Sequence, residues 1–178
     1  MCSKEKWNEL FSYDDGFLYW KINANNNGAR IGDLAGFISN PGEVDSYAQV
    51  RYEGVAYQMS VIIWEMHNGE VPAGMDVDHI DGNRLNNVLQ NLRLATRSQN
   101  LQNRGKHNVG FVPQSKYKGV SRATGGIGWR AAIYPEGKTV WLGRFKTAKE
   151  AAIAYNKAAV EYYGEFAKLN VITETGVI

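Results

Sequence analysis

Between residues 129 and 142 apolar and polar positions alternate with a period of two. Trp129, Ala131 and Ile133 fall on one face of a predicted strand, and Arg130, Ala132 and Tyr134 on the other. In the next predicted strand Val140 and Leu142 point one way, and Thr139 and Trp141 the other. The period then changes. Thr147-Ala-Lys-Glu150 fits a capping box, after which Ala151, Ala152, Tyr155, Ala158, Ala159 and Tyr162 recur at helical spacing up to Gly164. From Lys116 onward the pattern therefore predicts three short strands and one helix. The helix must cover one sheet face, and Trp129, Ile133, Val140 and Leu142 form the apolar one. The other face shows Arg130, Tyr134, Thr139 and Trp141, flanked by Lys118, Arg122, Lys138 and Arg144.

The first hundred residues are patterned differently. Phe17–Lys21 reads as a strand after the turn pair Asp15-Gly16. Tyr47–Tyr52 and Val55–Met59 flank Glu53-Gly54 as a hairpin. Ser60 is placed to cap a helix over Val61–Asn68, stopped by Gly69 and Pro72. Val77–Ile80 ends a strand, Asp81-Gly82 is the turn after it, and Leu92–Thr96 is a returning strand. Thr96-Arg-Ser-Gln99 is a second capping-box pattern, which puts Asn100 on the first turns of a helix. The stretch from Arg97 to Lys116 is rich in Asn, Gln, Gly and Lys, and its part after Arg104 reads as a linker. The predicted organisation is a domain over residues 1–104, a linker over 105–115 and a second domain over 116–172.

Charge sharpens that division. The net charge is +2, but residues 1–109 carry ten Lys/Arg against thirteen Asp/Glu and residues 110–178 ten against five. A mildly acidic front precedes a basic back suited to an anionic partner. The single cysteine, Cys2, excludes a disulfide framework and a cysteine-rich zinc site. No apolar run approaches the roughly 20 residues of a membrane span, and no signal-peptide pattern is seen. The expectation is a cytoplasmic protein without membrane contact.

The chemistry concentrates between Asp78 and Asn100, a stretch with one histidine, two aspartates and five asparagines. Asp78 and His79 are strand neighbours, able to serve one site where the strand twists into its turn. Strand, loop, strand and helix allow Asp78, His79, Asn91 and Asn100 to converge. Oxygen ligands of this kind suit magnesium or manganese, and a histidine beside the metal suits a general base for water. His67, at a helix end, and His107, in the linker, read as structural or solvated.

The pair Asp78-His79, the turn Asp81-Gly82-Asn83, Asn86-Asn87, Asn91-Leu92-Arg93 and the later Asn100 resemble the HNH nuclease family, in the form found in phage and intron-encoded homing endonucleases. The resemblance implies a ββα-metal core at about residues 75–104. In it Asp78 and Asn100 would hold one Mg2+ or Mn2+, His79 would be the general base, and Asn91 would orient His79 and its loop. The products would be a 5′-phosphate and a 3′-hydroxyl. Family members often carry His-Arg where this chain has Ser60-Val61, which removes a phosphate contact or a hairpin-supporting histidine.

Tyr117-Lys118-Gly119-Val120, Trp129-Arg130-Ala131, Val140-Trp141-Leu142-Gly143, Glu150-Ala151-Ala152 and the closing Leu169-Asn170 resemble the plant AP-two/ERF DNA-binding domain. That family lays a three-stranded sheet in the major groove of duplex DNA. Its contacts map onto Lys118, Ser121, Tyr134, Thr139 and Trp141, with Arg122, Arg130 and Arg144 adding charge. Gly125-Gly126 stands where plant members have tryptophan, and Ser121 where they have arginine, so the plant target sequence is not carried over to this chain. The fold expected is α+β: a small mixed region leading into the metal-binding nuclease core, then a linker and a three-stranded antiparallel sheet packed on one helix. The function expected is a site-specific DNA endonuclease, monomeric or, alternatively, dimeric, acting in the cytoplasm of a phage-infected host. The rivals are a non-catalytic DNA-binding regulator with a degenerate nuclease half, and an RNA-binding or RNA-cleaving protein that stacks bases on Tyr134 and Trp141.

Overall fold

A computed structural model describes residues 3–24, 28–43, 46–103, 115–125 and 127–173. Residues 105–114 of the predicted 105–115 linker, which include His107, and Gly126 lie outside the described residues. The chain divides into two compact units, residues 1–97 and 98–178, and the fold is α+β.

The first unit opens with a helix that the hydrophobic pattern does not announce, α1 (Ser3–Leu10). It buries only Trp7 and Leu10, one turn apart, too short a stripe to show a period. Then follow β1 (Phe11–Asp14), β2 (Phe17–Trp20), β3 (Leu34–Ala35), β4 (Phe37–Ser39), β5 (Tyr47–Tyr52) and β6 (Val55–Gln58). They form two antiparallel sheets, β1-β2-β3 and β4-β5-β6. Next comes α2 (Met59–Asn68), which packs on β5, β6 and α1. Its N-cap is Gln58, without a side-chain cap; Ser60, predicted as the cap, lies buried inside the first turn. Gly69 ends the helix as expected, with its N–H on the Glu65 carbonyl and φ of +88°. The core of this unit joins Trp7, Phe11, Leu18, Trp20, Val50, Ile62 and Ile63. Trp7 anchors α1 twice, by an edge-on contact with Tyr57 and by its indole N–H donating to Glu65 at 2.6 Å.

The strands β7 (Met75–His79) and β8 (Leu92–Thr96) pair antiparallel with Asp78 opposite Arg93 and His79 opposite Leu92. A 3-10 turn at Leu89–Asn91 leads into β8, and α3 (Arg97–Asn103) follows it directly. The division of the chain falls inside α3.

The second unit contains β9 (Val120–Arg122), β10 (Trp129–Ile133), β11 (Val140–Phe145) and α4 (Ala148–Tyr163), with β10 central and α4 packed on all three strands. Thr147 caps α4 by accepting the Glu150 N–H, and the Glu150 carboxylate accepts the Lys146 N–H. Ala151, Ala152, Tyr155, Ala158 and Ala159 are buried as their spacing predicts. The last position is a correction. Tyr163 is buried, whereas Tyr162 is 48% exposed. Tyr163 packs with Ile133 and Tyr155 at the far end of the sheet, so the covering stripe shifts by one residue where the helix passes the strand ends. Small residues on α4 keep helix and sheet close. A Cβ on Gly119 would lie 2.0 Å from the Tyr155 ring, and its φ is +72°; only glycine fits there.

Candidate active site and nucleic-acid interface

The loop between β7 and β8 is held by side chains that take over the work of a ladder. Ile80 donates its N–H to the Asn91 carbonyl at 2.9 Å, and Gly82 donates to the His79 carbonyl at 2.8 Å. Asp81 accepts from the Asn83 N–H at 2.7 Å, from Asn86 Nδ2 at 2.8 Å and from Asn91 Nδ2 at 3.0 Å. Asn91 returns its own Oδ1 to the Asp81 N–H at 3.1 Å and gives Nδ2 to the Asn86 carbonyl at 2.8 Å. Asp81 with Asn83, Asn86 and Asn91 thus closes a turn that has too few backbone partners of its own. Burial acts to raise the Asp81 carboxyl, but the hydrogen bonds from Asn86, Asn83 and Asn91, with His79 nearby, bring it below the usual carboxylate range.

Asp78 and His79 end β7, opposite Arg93 and Leu92, and both are buried, 6% and 5% exposed. His79 Nε2 lies 3.0 Å from Asn87 Oδ1, and Asn87 is itself buried. The Asn87 amide has a fixed orientation, because its Nδ2 donates to the Leu85 carbonyl at 3.3 Å. Its oxygen therefore faces the imidazole. A neutral ring that donates to this oxygen does so from Nε2, which leaves its basic lone pair on Nδ1. The resemblance implies that Asn91 orients His79 and its loop; in the structure Asn91 ties the loop together, and the side chain in contact with the ring is Asn87. Asn87 stands in the Asn86-Asn87 pair, but nothing in its spacing distinguishes it from the other loop asparagines.

Asp78 is paired across the ladder. Arg93 directs Nε and Nη2 at the same carboxylate oxygen, 3.0 and 2.9 Å away. This contact was not foreseen either, although the register of two consecutive strands would have placed the pair opposite one another. Among the described residues no three His, Cys, Asp or Glu side chains form a metal cage. A hard cation that keeps waters and phosphate oxygens in its shell needs only one or two carboxylates. The Asp78 donor chemistry fits such an ion, which would share the carboxylate with Arg93. It does not fit a closed zinc site. Asn100, the second expected ligand, is half-buried on α3. His67 serves structure: its Nδ1 lies 2.8 Å from the Ile63 carbonyl, and its ring meets Tyr13 edge-on.

In the second unit, strand pairing sorts the expected DNA contacts. Arg130 lies opposite Ser121 on one side and Arg144 on the other, and Trp141 opposite Ala132. These residues share the face away from α4. Trp141 is 63% exposed, as is Tyr134, and Thr139 is also exposed. The Arg130 guanidinium sits over the Trp141 ring at 5.2 Å and donates to Thr124 at 3.1 Å. A register shift after Ala131 leaves Leu142 as an extra residue in β11. That bulge puts both Leu142 and Phe145 against the core and turns Arg144 outward, where strict alternation would have pointed Arg144 inward.

Two expected contacts are placed differently. Arg122 pairs with Trp129, so it lies at the edge of the helix-covered face, stacked 4.4 Å from the Trp129 ring. Lys118 is half-buried, and its ammonium donates to the Gln102 carbonyl at 2.6 Å. Burial, and then the charge of Lys168, push its amine down to about 8. The main chain of Lys118 is clipped by Asn170, which accepts its N–H at 2.6 Å and donates to its carbonyl at 3.1 Å. Asn156 in turn brackets the Asn170 backbone at 2.8 and 2.9 Å.

The family model described as HNH endonuclease matches residues 57–102. The chain is similar to an uncharacterized HNH endonuclease of Acanthamoeba polyphaga mimivirus, 38% identical over 104 residues, or 58% of this chain and 51% of that protein. It is similar to Protein 3.8 of Escherichia phage T7, 36% identical over 108 residues, or 60% of this chain and 84% of the phage protein. It is also similar to an AP2/ERF and B3 domain-containing transcription factor of Arabidopsis thaliana, 50% identical over 46 residues, or 26% of this chain and 13% of that protein. The plant similarities fall in the C-terminal region. The chain thus spans about half the length of the mimivirus protein and a small part of the plant one. No solved structure matches it significantly. Among the described residues no helix is long and apolar enough to cross a membrane.

Proposed function

The chain belongs to the HNH endonuclease family, and from that premise we propose that it is a site-specific DNA endonuclease of the homing type, aimed by its C-terminal module. The observation that carries the reading is the buried Asp78-His79 pair at the end of β7, with the imidazole fixed by Asn87. His79 takes the proton of the attacking water on Nδ1. Asn87 holds the Nε2 proton and so the ring plane, and Asn91 keeps the loop closed around both. Asp78, with Asn100 by its place in the motif, would hold a divalent cation, Mg2+ or Mn2+. That ion would supply charge stabilisation for the phosphate and the leaving oxygen. Arg93 keeps the Asp78 carboxylate neutralised and in place.

The small reactive centre cuts a phosphodiester, and the sheet of the second unit selects where. Ser121, Arg130, Tyr134, Thr139, Trp141 and Arg144 are the proposed contacts with duplex DNA; Arg122 and Lys118 contribute charge from the edges of the module. The Asp78–Arg93 ion pair also favours a second reading, a DNA-binding regulator whose nuclease half no longer takes up metal.

One experiment separates the two. Supercoiled plasmid carrying a site selected from a DNA library is incubated with the full chain in magnesium or in EDTA, beside His79→Ala. The nuclease reading expects metal-dependent cleavage that His79→Ala lowers by about 10²–10⁴-fold, the usual contribution of a general base. DNA affinity should stay near wild type. Intact plasmid under every condition, at full binding, would favour the regulator.

A further inference from the structure

The HNH family model begins at residue 57, yet the segment carrying Asn87 is held from much earlier in the chain. Leu89 starts a 3-10 turn whose N-cap, Val88, offers no side-chain cap. Its N–H is one of the donors that the turn itself leaves without a carbonyl. The Tyr13 hydroxyl oxygen accepts it at 3.0 Å, across 76 residues. Three residues further on, Gly16 closes the β1–β2 turn with φ of +88°. A Cβ there would stand 2.9 Å from the Val88 nitrogen and 3.1 Å from the Asn87 carbonyl carbon. The backbone of residues 87–89 is therefore gripped at two points by one hairpin.

The grip has a rigid back. The Tyr13 ring stands edge-on to His67, 4.9 Å between centroids, and His67 is tied to the Ile63 carbonyl on α2. A continuous path runs from α2 through His67, Tyr13 and Leu89 to Asn87, and from Asn87 Oδ1 to His79 Nε2 at 3.0 Å. We infer that Tyr13 and Gly16 are positioning residues for His79: the N-terminal hairpin clamps the segment 87–89 so that Asn87 holds the imidazole in one tautomer and one plane. The inference rests on the reading of His79 as the base. Its direct content is the state of the His79 ring, which can be measured apart from cleavage.

The test uses the full chain with Tyr13→Phe, which keeps the ring against His67 and removes the acceptor. Gly16→Ala is the second variant, and Asn87→Ala the reference for a released imidazole. Nitrogen NMR of the histidine rings, with the His79 signals assigned by their loss in His79→Ala, reports the tautomer. Single-turnover cleavage, DNA affinity and a thermal melt are measured on the same samples. In wild type one His79 nitrogen should be protonated and the other not. Tyr13→Phe should move both signals toward averaging, as in Asn87→Ala, with a folded melt and unchanged DNA affinity. Cleavage should fall about 10-fold or more, since misplacement of about 1 Å costs as much as 10²-fold. Wild-type ring signals in folded Tyr13→Phe overturn the clamp. Shifted signals with wild-type cleavage overturn instead the assignment of His79 as base, and with it the catalytic meaning of the clamp.

Discussion

At the scale of single residues, Lys118 is where burial and a neighbouring like charge act together most visibly on a cation. Its amine titrates near 8, because burial and Lys168 disfavour the ammonium, against about 10.4 in an unfolded chain. The folded value is depressed, so folding releases a proton between those two values and stability rises with pH across that window. Below about 8 both states are charged and the full cost of burial is felt. The melting temperature of wild type relative to Lys118→Met should therefore climb from pH 8 to pH 10 and be flat from pH 6 to pH 7.5. Thermal melts of both proteins over that range check it. The places of single residues were legible unevenly. Asp78 and His79 stand out in the sequence as titratable neighbours at a strand end before an Asp-Gly turn, and the structure buries both at the end of β7. Asn87 was not legible, since its bond to His79 depends on which of the loop's four asparagines the path of the loop turns toward the ring. Arg93 acts through cross-strand register, which a residue pattern alone does not display.

At the scale of elements, alternation carried the second unit a long way. The faces of β10 and the inward set of Val140 and Leu142 follow from period two. The bulge at Leu142 does not, because an extra residue in one strand is decided by its partner. The same limit applies to α1, whose two buried residues make no period, and to the end of α4, where packing on Ile133 favours Tyr163 over Tyr162. The faces make opposite demands on two tryptophans. Trp129 packs into the core beside Tyr117 and Ala131, whereas Trp141 stands exposed under Arg130. Trp129→Ala should destabilise the unit by about 3 kcal/mol, the lower end for a large-to-small aromatic change, because the ring is only partly buried. Trp141→Ala should leave the melt near wild type and weaken duplex-DNA binding. Melts and binding curves on the two variants decide it; reversed effects would mean that the DNA face is the covered one.

At the scale of the whole molecule, the proposed reading gives binding and bond-breaking to different parts of one chain, in keeping with the uneven charge and the two compact units. A fragment of residues 98–178 should bind duplex DNA and cut none. Its affinity should fall with salt at a slope near 0.9 per phosphate neutralised, and Arg144→Ala should reduce that slope by about one contact. Fluorescence anisotropy at several salt concentrations measures both. The clip between Lys118 and Asn170 has a wider meaning. It ties together the entry and the exit of the DNA-binding module, so the segment enters and leaves its own fold at one point. Such a unit can be grafted into a surface loop of a host protein without prising that loop apart. The two-sided hydrogen bonding of one asparagine thus gives the module the adjoining ends that insertion into another chain requires.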